Sequence, residues 1–161
     1  MCTIIRRGDI KLGVISLEDD VFTYGNRIEL GYIFTNEHIS EYQRMKQAFR
    51  EVYGYSCRWV PIRKRVQMLH KLVKEFARIC ENEQELLKHT PTADELAAGI
   101  LELSKRVGPI STYKALAKDF GKDPDEVLKW PYSKVLGLLY ADLEEYKFNE
   151  RFTKVINAKY K

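Results

Sequence analysis

Apolar residues recur at three- and four-residue spacing along most of the chain, a period that predicts helices. One such stretch covers residues 36–53, with Asn36 as a candidate N-cap and Gly54 as the stop. A longer stretch covers residues 62–88 and carries apolar side chains at a near-heptad spacing, which is typical of a helix that packs along another helix. The members of this near-heptad row are Val66, Leu69, Val73, Phe76, Cys80 and Leu87.

Capping and helix-breaking residues divide the second half of the chain into shorter helices. Thr92 and Glu95 match a capping box at the start of a helix. Gly108 and Pro109 are expected to close that helix, and Gly121 is expected to end the next one.

A short helix is predicted directly after this last glycine. Asp123 is a favourable N-cap, Pro124 suits the first helical position, and Glu126 completes an acidic variant of the capping box. Pro131 disfavours helical geometry at Trp130, so we predict that it opens the C-terminal helix.

The C-terminal helix carries apolar residues on two sides. The first stripe consists of Tyr132, Val135, Leu136, Leu139, Leu143 and Tyr146. The second stripe lies about 160° away around the helix and consists of Leu138, Ala141, Phe148, Phe152 and Val155. A helix that is apolar on all sides is usually buried, so both stripes can belong to the core of a small all-α domain. Alternatively, Phe148, Phe152 and Val155 are anchors that dock into a partner protein.

The first 35 residues follow a different pattern. Apolar and polar residues alternate over residues 10–14 and 28–34, which predicts strands, and Gly25 and Asn26 form a turn signal between them. A small antiparallel β element is therefore expected, although residues 27–34 can also form one or two helical turns. The predicted fold is mainly α: a β-containing N-terminal portion at residues 1–35 and a multi-helix domain at 36–161, forming one compact unit.

Composition and charge favour a soluble protein of the reducing cytoplasm. Hydrophobic residues make up 45% of the chain, enough for a core, and the net charge of +4 falls short of that typical of a dedicated nucleic-acid binder. Cys2, Cys57 and Cys80 show no paired spacing, and Arg6 and Arg7 precede any apolar segment that a signal peptide would need. No apolar run is long enough to span a bilayer.

Patterns typical of catalysis or cofactor binding are missing from the sequence. It contains no glycine-rich phosphate loop, and His38, His70 and His89 form no short ligand pair with one another or with a cysteine. Glu144 and Glu145 are adjacent on a helix and point to different sides, so they cannot converge on one substrate atom. We therefore expect a protein that is not an enzyme and that uses no metal and no cofactor.

A cationic ridge runs along the predicted helix at residues 62–88. It consists of Lys64, Gln67, Lys71, Lys74 and Arg78. A solvated face is the usual meaning of such a ridge. The alternative is a contact with an acidic protein partner or a nucleic-acid backbone, for which Lys64, Lys71 and Arg78 are the candidate residues.

The helix pair around Gly121 also matches a helix-turn-helix in part. Ala117, Gly121 and Val127 stand where that motif places its small residue, its turn glycine and its inward-packing residue. The second helix would begin with the acidic residues Asp123, Asp125 and Glu126. Because these carboxylates would repel phosphate, a helix pair within a core is the favoured interpretation and a DNA-binding regulator is the alternative.

Several segments together resemble the phage tail assembly chaperones. They are DVFTYGNRIELGYIF at residues 20–34, PTADELAAGI at 91–100 and LAKDFGKDPDEVLKW at 116–130, followed by Tyr132 and by DLEEY at 142–146. The resemblance covers most of residues 20–152, and its motifs are structural rather than catalytic.

This resemblance implies a mostly helical, non-enzymatic protein of the bacterial host cytoplasm. Its implied partners are the tape measure protein, whose long apolar helices it would keep soluble, and the tail-tube protein, which it would help to polymerise. The family often makes a longer form by frameshifting. A homo-oligomer is compatible with the sequence, whereas neither membrane nor nucleic acid is an expected partner. A structural virion component is a third interpretation.

Overall fold

The computed structural model describes residues 22–54 and 60–159, and these residues are mainly helical. The helices in these ranges are α1 (Tyr24–Thr35), α2 (Glu41–Tyr53), α3 (Ile62–Leu86), α4 (Ala93–Ala97), α5 (Ile100–Asp119), α6 (Pro124–Leu128) and α7 (Tyr132–Lys159). The same two ranges contain no strand. The prediction of a mainly α fold is therefore confirmed.

Of the two alternatives for residues 28–34, the strand is wrong and the helix is confirmed, because this segment lies inside α1. Thr23 and Asn26 start the helix with a reciprocal capping box: Thr23 Oγ1 accepts from Asn26 N at 3.2 Å, and Thr23 N donates to Asn26 Oδ1 at 3.0 Å. Leu30 and Ile33 are buried, and further apolar residues of α1 pack around them. In a helix that is apolar on several sides, apolar and polar residues can alternate along the sequence, so this alternation does not require a strand.

Extended backbone pairing in the described ranges is limited to one antiparallel bridge between Thr23 and Pro131. Beside it, Tyr132 N donates to Phe22 O at 2.9 Å. The bridge holds the start of α1 against the start of α7. The predicted strand over residues 10–14 lies outside the described residues.

The main core is built around α1, which contacts α2, α6 and α7. Its buried members are Phe22, Tyr24, Leu30, Ile33, Ala48, Leu72, Ile79, Leu116, Ala117, Val127, Tyr132 and Val135. Gly25 allows α1 to lie close to α6, because a Cβ at this position would be 3.0 Å from the carbonyl oxygen of Leu128. A larger residue at position 25 would therefore push the two helices apart.

The ends of α2 and α3 follow local signals, with one correction. α2 is capped by Ser40, whose Oγ accepts from Gln43 N at 3.3 Å, and not by Asn36 as predicted. Gly54 ends α2 with a left-handed φ of 67°, as predicted. The predicted long helix is α3, which ends at Leu86.

The break predicted at Gly108 is present, and α5 consists of two helical segments joined there by a kink. Gly99, with a φ of 81°, separates the five-residue α4 from α5, although the capping box at Thr92 forms as predicted. Gly108 has a φ of 41° and a ψ of −132°, a non-helical conformation that ends the first segment of α5. Ser111 Oγ donates to Gly108 O at 2.9 Å, so the helix resumes directly after Pro109.

Gly121 ends α5 as predicted. Its φ is 59°, a value that a residue with a side chain rarely adopts. Gly121 N donates to Lys118 O at 3.2 Å and Lys122 N donates to Ala117 O at 2.8 Å. These two bonds form a Schellman motif, which turns the chain directly into α6.

α6 begins at the predicted cap, Asp123, whose carboxylate accepts from Asp125 N at 2.8 Å. Glu126, expected to complete a capping box, instead forms an ion pair with Lys122 at 3.5 Å. Pro131, predicted as the first residue of the C-terminal helix, stands one residue before α7, and its carbonyl accepts the first bond of that helix.

The covered side of α3 differs from the predicted near-heptad row. Leu72 and Ile79 are buried, whereas the row members Val66 and Val73 are 59% and 45% exposed. Phe76 belongs to the row and does pack against the core. The spacing of apolar residues shows which of them share a side of α3. Which side is covered depends on where α1 lies.

Candidate interaction surfaces

The last turns of α7 carry an exposed apolar row, which we call the α7 row: Phe148, Phe152 and Val155. These side chains are 57%, 54% and 54% exposed. The two phenyl rings stack on each other, with centroids 6.1 Å apart and planes 18° from parallel. The residues predicted as partner anchors are therefore accessible, and their role in binding stays a prediction.

The two predicted stripes of α7 have different surroundings along their length. Tyr132 and Val135 are buried, and Leu138 of the second stripe packs against the same core. At the end of the first stripe, Tyr146 meets His89, with ring centroids 5.4 Å apart. Beyond this point, none of the described side chains of α7 is buried.

Basic side chains border the α7 row on one side. At 100° per residue, Lys147, Arg151 and Lys154 follow one another along the helix next to Phe148 and Phe152. Lys147 pairs with Glu144 at 2.8 Å and Lys154 pairs with Glu150 at 2.6 Å. Arg151 Nε donates instead to the backbone oxygen of Lys147, at 3.2 Å.

The cationic ridge lies on α3, away from its buried side. Lys64 and Lys71 are exposed, and Arg78 forms an ion pair with Glu75 at 3.0 Å. The two surfaces predicted from the sequence therefore belong to different helices. The cationic ridge is a charged surface, whereas the α7 row is an apolar surface.

A groove that the sequence did not predict opens between α1, α2, α5 and α6. Its volume is about 370 Å³. Ile28, Tyr113 and Leu128 contribute apolar surface, and Tyr32 and Ile110, which also line it, are 54% and 40% exposed. Pro109 and Ile110, the residues directly after the kink at Gly108, also line the groove.

Two carboxylates belong to the same groove, and we therefore call it the acidic groove. Glu29 is exposed, and Glu51 is half-buried with its Oε1 accepting from Asn26 Nδ2 at 2.8 Å. The described lining residues include no Lys and no Arg. The groove thus favours a positively charged occupant with apolar side chains.

A polar cluster inside the fold joins α1, α3 and α7. Arg27 Nε donates to both oxygens of Glu83, at 2.8 and 3.1 Å, and its Nη2 bonds the same carboxylate. Tyr132 OH donates to Glu83 Oε1 at 3.0 Å. The guanidinium also lies over the ring of Phe76, 5.5 Å from its centroid. Glu83 neutralises the charge of Arg27 at the edge of the core, and the hydrogen bonds of the cluster link α1, α3 and α7.

The environment of this cluster changes the proton affinities of its members. Burial, together with the Glu83 carboxylate, raises the pKa of the Tyr132 phenol. Burial alone would lower the pKa of Arg27, but its hydrogen bond and charge contact with Glu83 outweigh that effect and raise it. Burial also raises the pKa of the Cys80 thiol. Arg27 is charged and Tyr132 neutral at neutral pH, and both pKa shifts act in the same direction as these states.

The segment compared with a helix-turn-helix forms a tight helix pair. Ala117 and Val127 are buried in the contact between α5 and α6. α6 spans five residues, and its acidic residues Asp125 and Glu126 are exposed. A major-groove reader normally presents the start of its second helix to DNA, which here would bring carboxylates toward phosphates.

Within residues 22–54 and 60–159, no group of three or more His, Cys, Asp or Glu side chains could hold a metal ion. A search of the same residues finds no helix that combines the length and apolarity needed to cross a membrane. In comparisons with known proteins, no family model, no curated protein and no solved structure matches this chain.

Proposed function

We propose that this protein is a non-enzymatic assembly chaperone that binds an apolar helix of a partner protein through the α7 row. The observation that carries this proposal is the exposure of Phe148 and Phe152, each more than half accessible at the end of a helix whose beginning lies in the core. The resemblance to tail assembly chaperones suggests the tape measure protein as the partner. Tail-tube subunits would then assemble on the chaperoned partner.

The physical basis is the cost of leaving aromatic rings in water. A Phe or Tyr side chain buries about 150–250 Å² when it is fully covered, and aromatic anchors commonly dominate the affinity of an interface. Phe148 and Phe152 already stack on each other. Less side-chain freedom is therefore lost when a partner covers them.

The charges beside the α7 row indicate what kind of helix fits. Lys147, Arg151 and Lys154 lie along one edge of the row, so a partner helix with acidic residues next to its apolar stripe would match both features. The cationic ridge at Lys64 and Lys71 offers a second basic surface if the partner extends further. Charge at such an edge orients a partner more than it strengthens binding.

Co-expression tests the proposal. The full chain is produced together with a tape measure protein, the partner that the resemblance suggests, and the soluble fraction of that partner is measured. Phe148→Ser with Phe152→Ser should sharply lower this fraction, because each lost anchor is worth about 2 kcal/mol of binding.

Leu101→Ser with Leu103→Ser is the matched control. These leucines are 57% and 54% exposed on α5, so the control removes two large apolar side chains of equal accessibility from another helix. It should leave the soluble fraction unchanged. Normal solubilisation by the Phe148/Phe152 variant would show that the α7 row is not the binding surface, and Lys64, Lys71 and Arg78 would be tested next.

A DNA-binding regulator is tested separately by gel shift. We expect no complex with duplex DNA at physiological salt, because Asp125 and Glu126 stand at the exposed start of α6. A sequence-selective complex that weakens when Lys114 or Lys129 is neutralised would favour the regulator instead.

A further inference from the structure

The acidic groove has the features of a binding site for another polypeptide segment. Tyr32 and Ile110 in its lining are 54% and 40% exposed, although both side chains are apolar over most of their surface. A volume of about 370 Å³ lies within the range of pockets that enclose small ligands. The carboxylates of Glu29 and Glu51 lie beside this apolar surface.

The end of α7 carries the complementary features. Phe148 and Phe152 supply aromatic surface, and Arg151 supplies a guanidinium next to them. Among the described residues, no carboxylate lies within ion-pair distance of Arg151, and its Nε donates only to a backbone oxygen. An apolar groove with an acidic edge and an apolar row with a basic edge match in both polarity and charge.

We propose that the acidic groove of one copy of this protein binds the C-terminal end of α7 from a second copy. Phe148 and Phe152 enter the groove, and Arg151 faces Glu29. The aromatic rings supply most of the affinity, because exposed charge pairs contribute little to it. The charges determine the direction in which the helix lies.

The end of α7 cannot reach the groove of its own chain. The groove is lined by Thr23 and Leu128, close to the start of α7, because Thr23 pairs with Pro131. α7 is one continuous helix, so Phe152 lies about 30 Å along it from Tyr132. The occupant therefore comes from another copy.

Sedimentation velocity of the full chain alone tests this inference. The average mass should rise with protein concentration, and Phe148→Ser with Phe152→Ser should weaken self-association by about thirtyfold or more. Glu29→Lys with Glu51→Gln should weaken it by about fivefold. Glutamine is chosen at position 51 because it can still accept the hydrogen bond from Asn26.

Two further variants make the test specific. Glu37→Lys with Glu85→Gln makes the same change of charge at exposed positions outside the groove and should leave self-association unchanged. Arg151→Glu should weaken self-association, and its combination with Glu29→Lys should restore part of it. Circular dichroism of each variant checks that the helices are retained.

Three results would overturn the inference: a wild-type chain that stays monomeric at all concentrations, equal effects of the groove variant and its control, or a charge-swapped combination weaker than either single variant. The inference does not depend on the proposed chaperone function. The groove variant should still keep the partner soluble in co-expression, so a failure of self-association and a failure of partner binding are seen in different measurements.

Discussion

The two ends of α7 have similar residues and opposite surroundings. At its start, Tyr132 and Val135 are 6% and 0% exposed, whereas Phe148 and Phe152 near its end are 57% and 54% exposed. Both ends place large apolar residues at helical spacing. The difference is that α1 lies beside the start, where the bridge at Thr23 holds it, and no described helix covers the end. An apolar stripe thus becomes core only where another element reaches it.

The largest expected effect is the difference in stability between variants at the two ends of α7. Tyr132→Ala should lower the free energy of unfolding by about 3–5 kcal/mol, because it leaves a cavity and removes a hydrogen bond to Glu83. Phe148→Ala should change it by less than about 0.5 kcal/mol. Chemical denaturation of both variants measures the contrast. Equal losses would mean that the end of α7 is also part of the core.

A smaller effect concerns the polar cluster at the buried end. Glu83→Gln removes the negative partner of Arg27, whose side chain is only 22% exposed, and should cost about 2 kcal/mol. Glu75→Gln is the matched control on the same helix, because Glu75 forms an exposed pair with Arg78. It should cost less than about 0.5 kcal/mol. A Glu83 variant as stable as this control would show that the ion pair with Arg27 contributes nothing to stability.

The smallest expected effect is the dependence of stability on alkaline pH. The pKa of Tyr132 is raised in the folded state, so above the ordinary value of 10.0 the unfolded chain loses this proton first. The contribution of this phenol to stability is therefore fully present below pH 10 and is lost as the pH rises beyond it. Tyr132→Phe should reduce that fall, whereas Tyr42→Phe, at a 61% exposed position, should not. Melting curves of the two variants and the wild type, measured from below to above pH 10, show whether only Tyr132→Phe reduces the loss of stability.

The candidate sites differ in how far the sequence could reveal them. Phe148 and Phe152 were found because their spacing places them off the face that the start of α7 buries. The acidic groove could not be predicted, because its lining comes from four helices that no spacing along the chain brings together. The pairing of Arg27 with Glu83 joins residues 56 positions apart. Glu83 stands in the polar run at residues 81–85, so nothing in the local sequence marks it as the partner of Arg27.

The sequence by itself determined the helical class and the helix ends that depend on neighbouring residues. Gly54, Gly121 and Asp123 act through bonds within a few residues, so no distant contact is needed to place them. Only the tertiary structure decided that residues 28–34 are helical and that Leu72 rather than Val73 is buried. Those outcomes depend on burial between elements far apart in the chain, because a residue's spacing shows which face it occupies and not what covers that face.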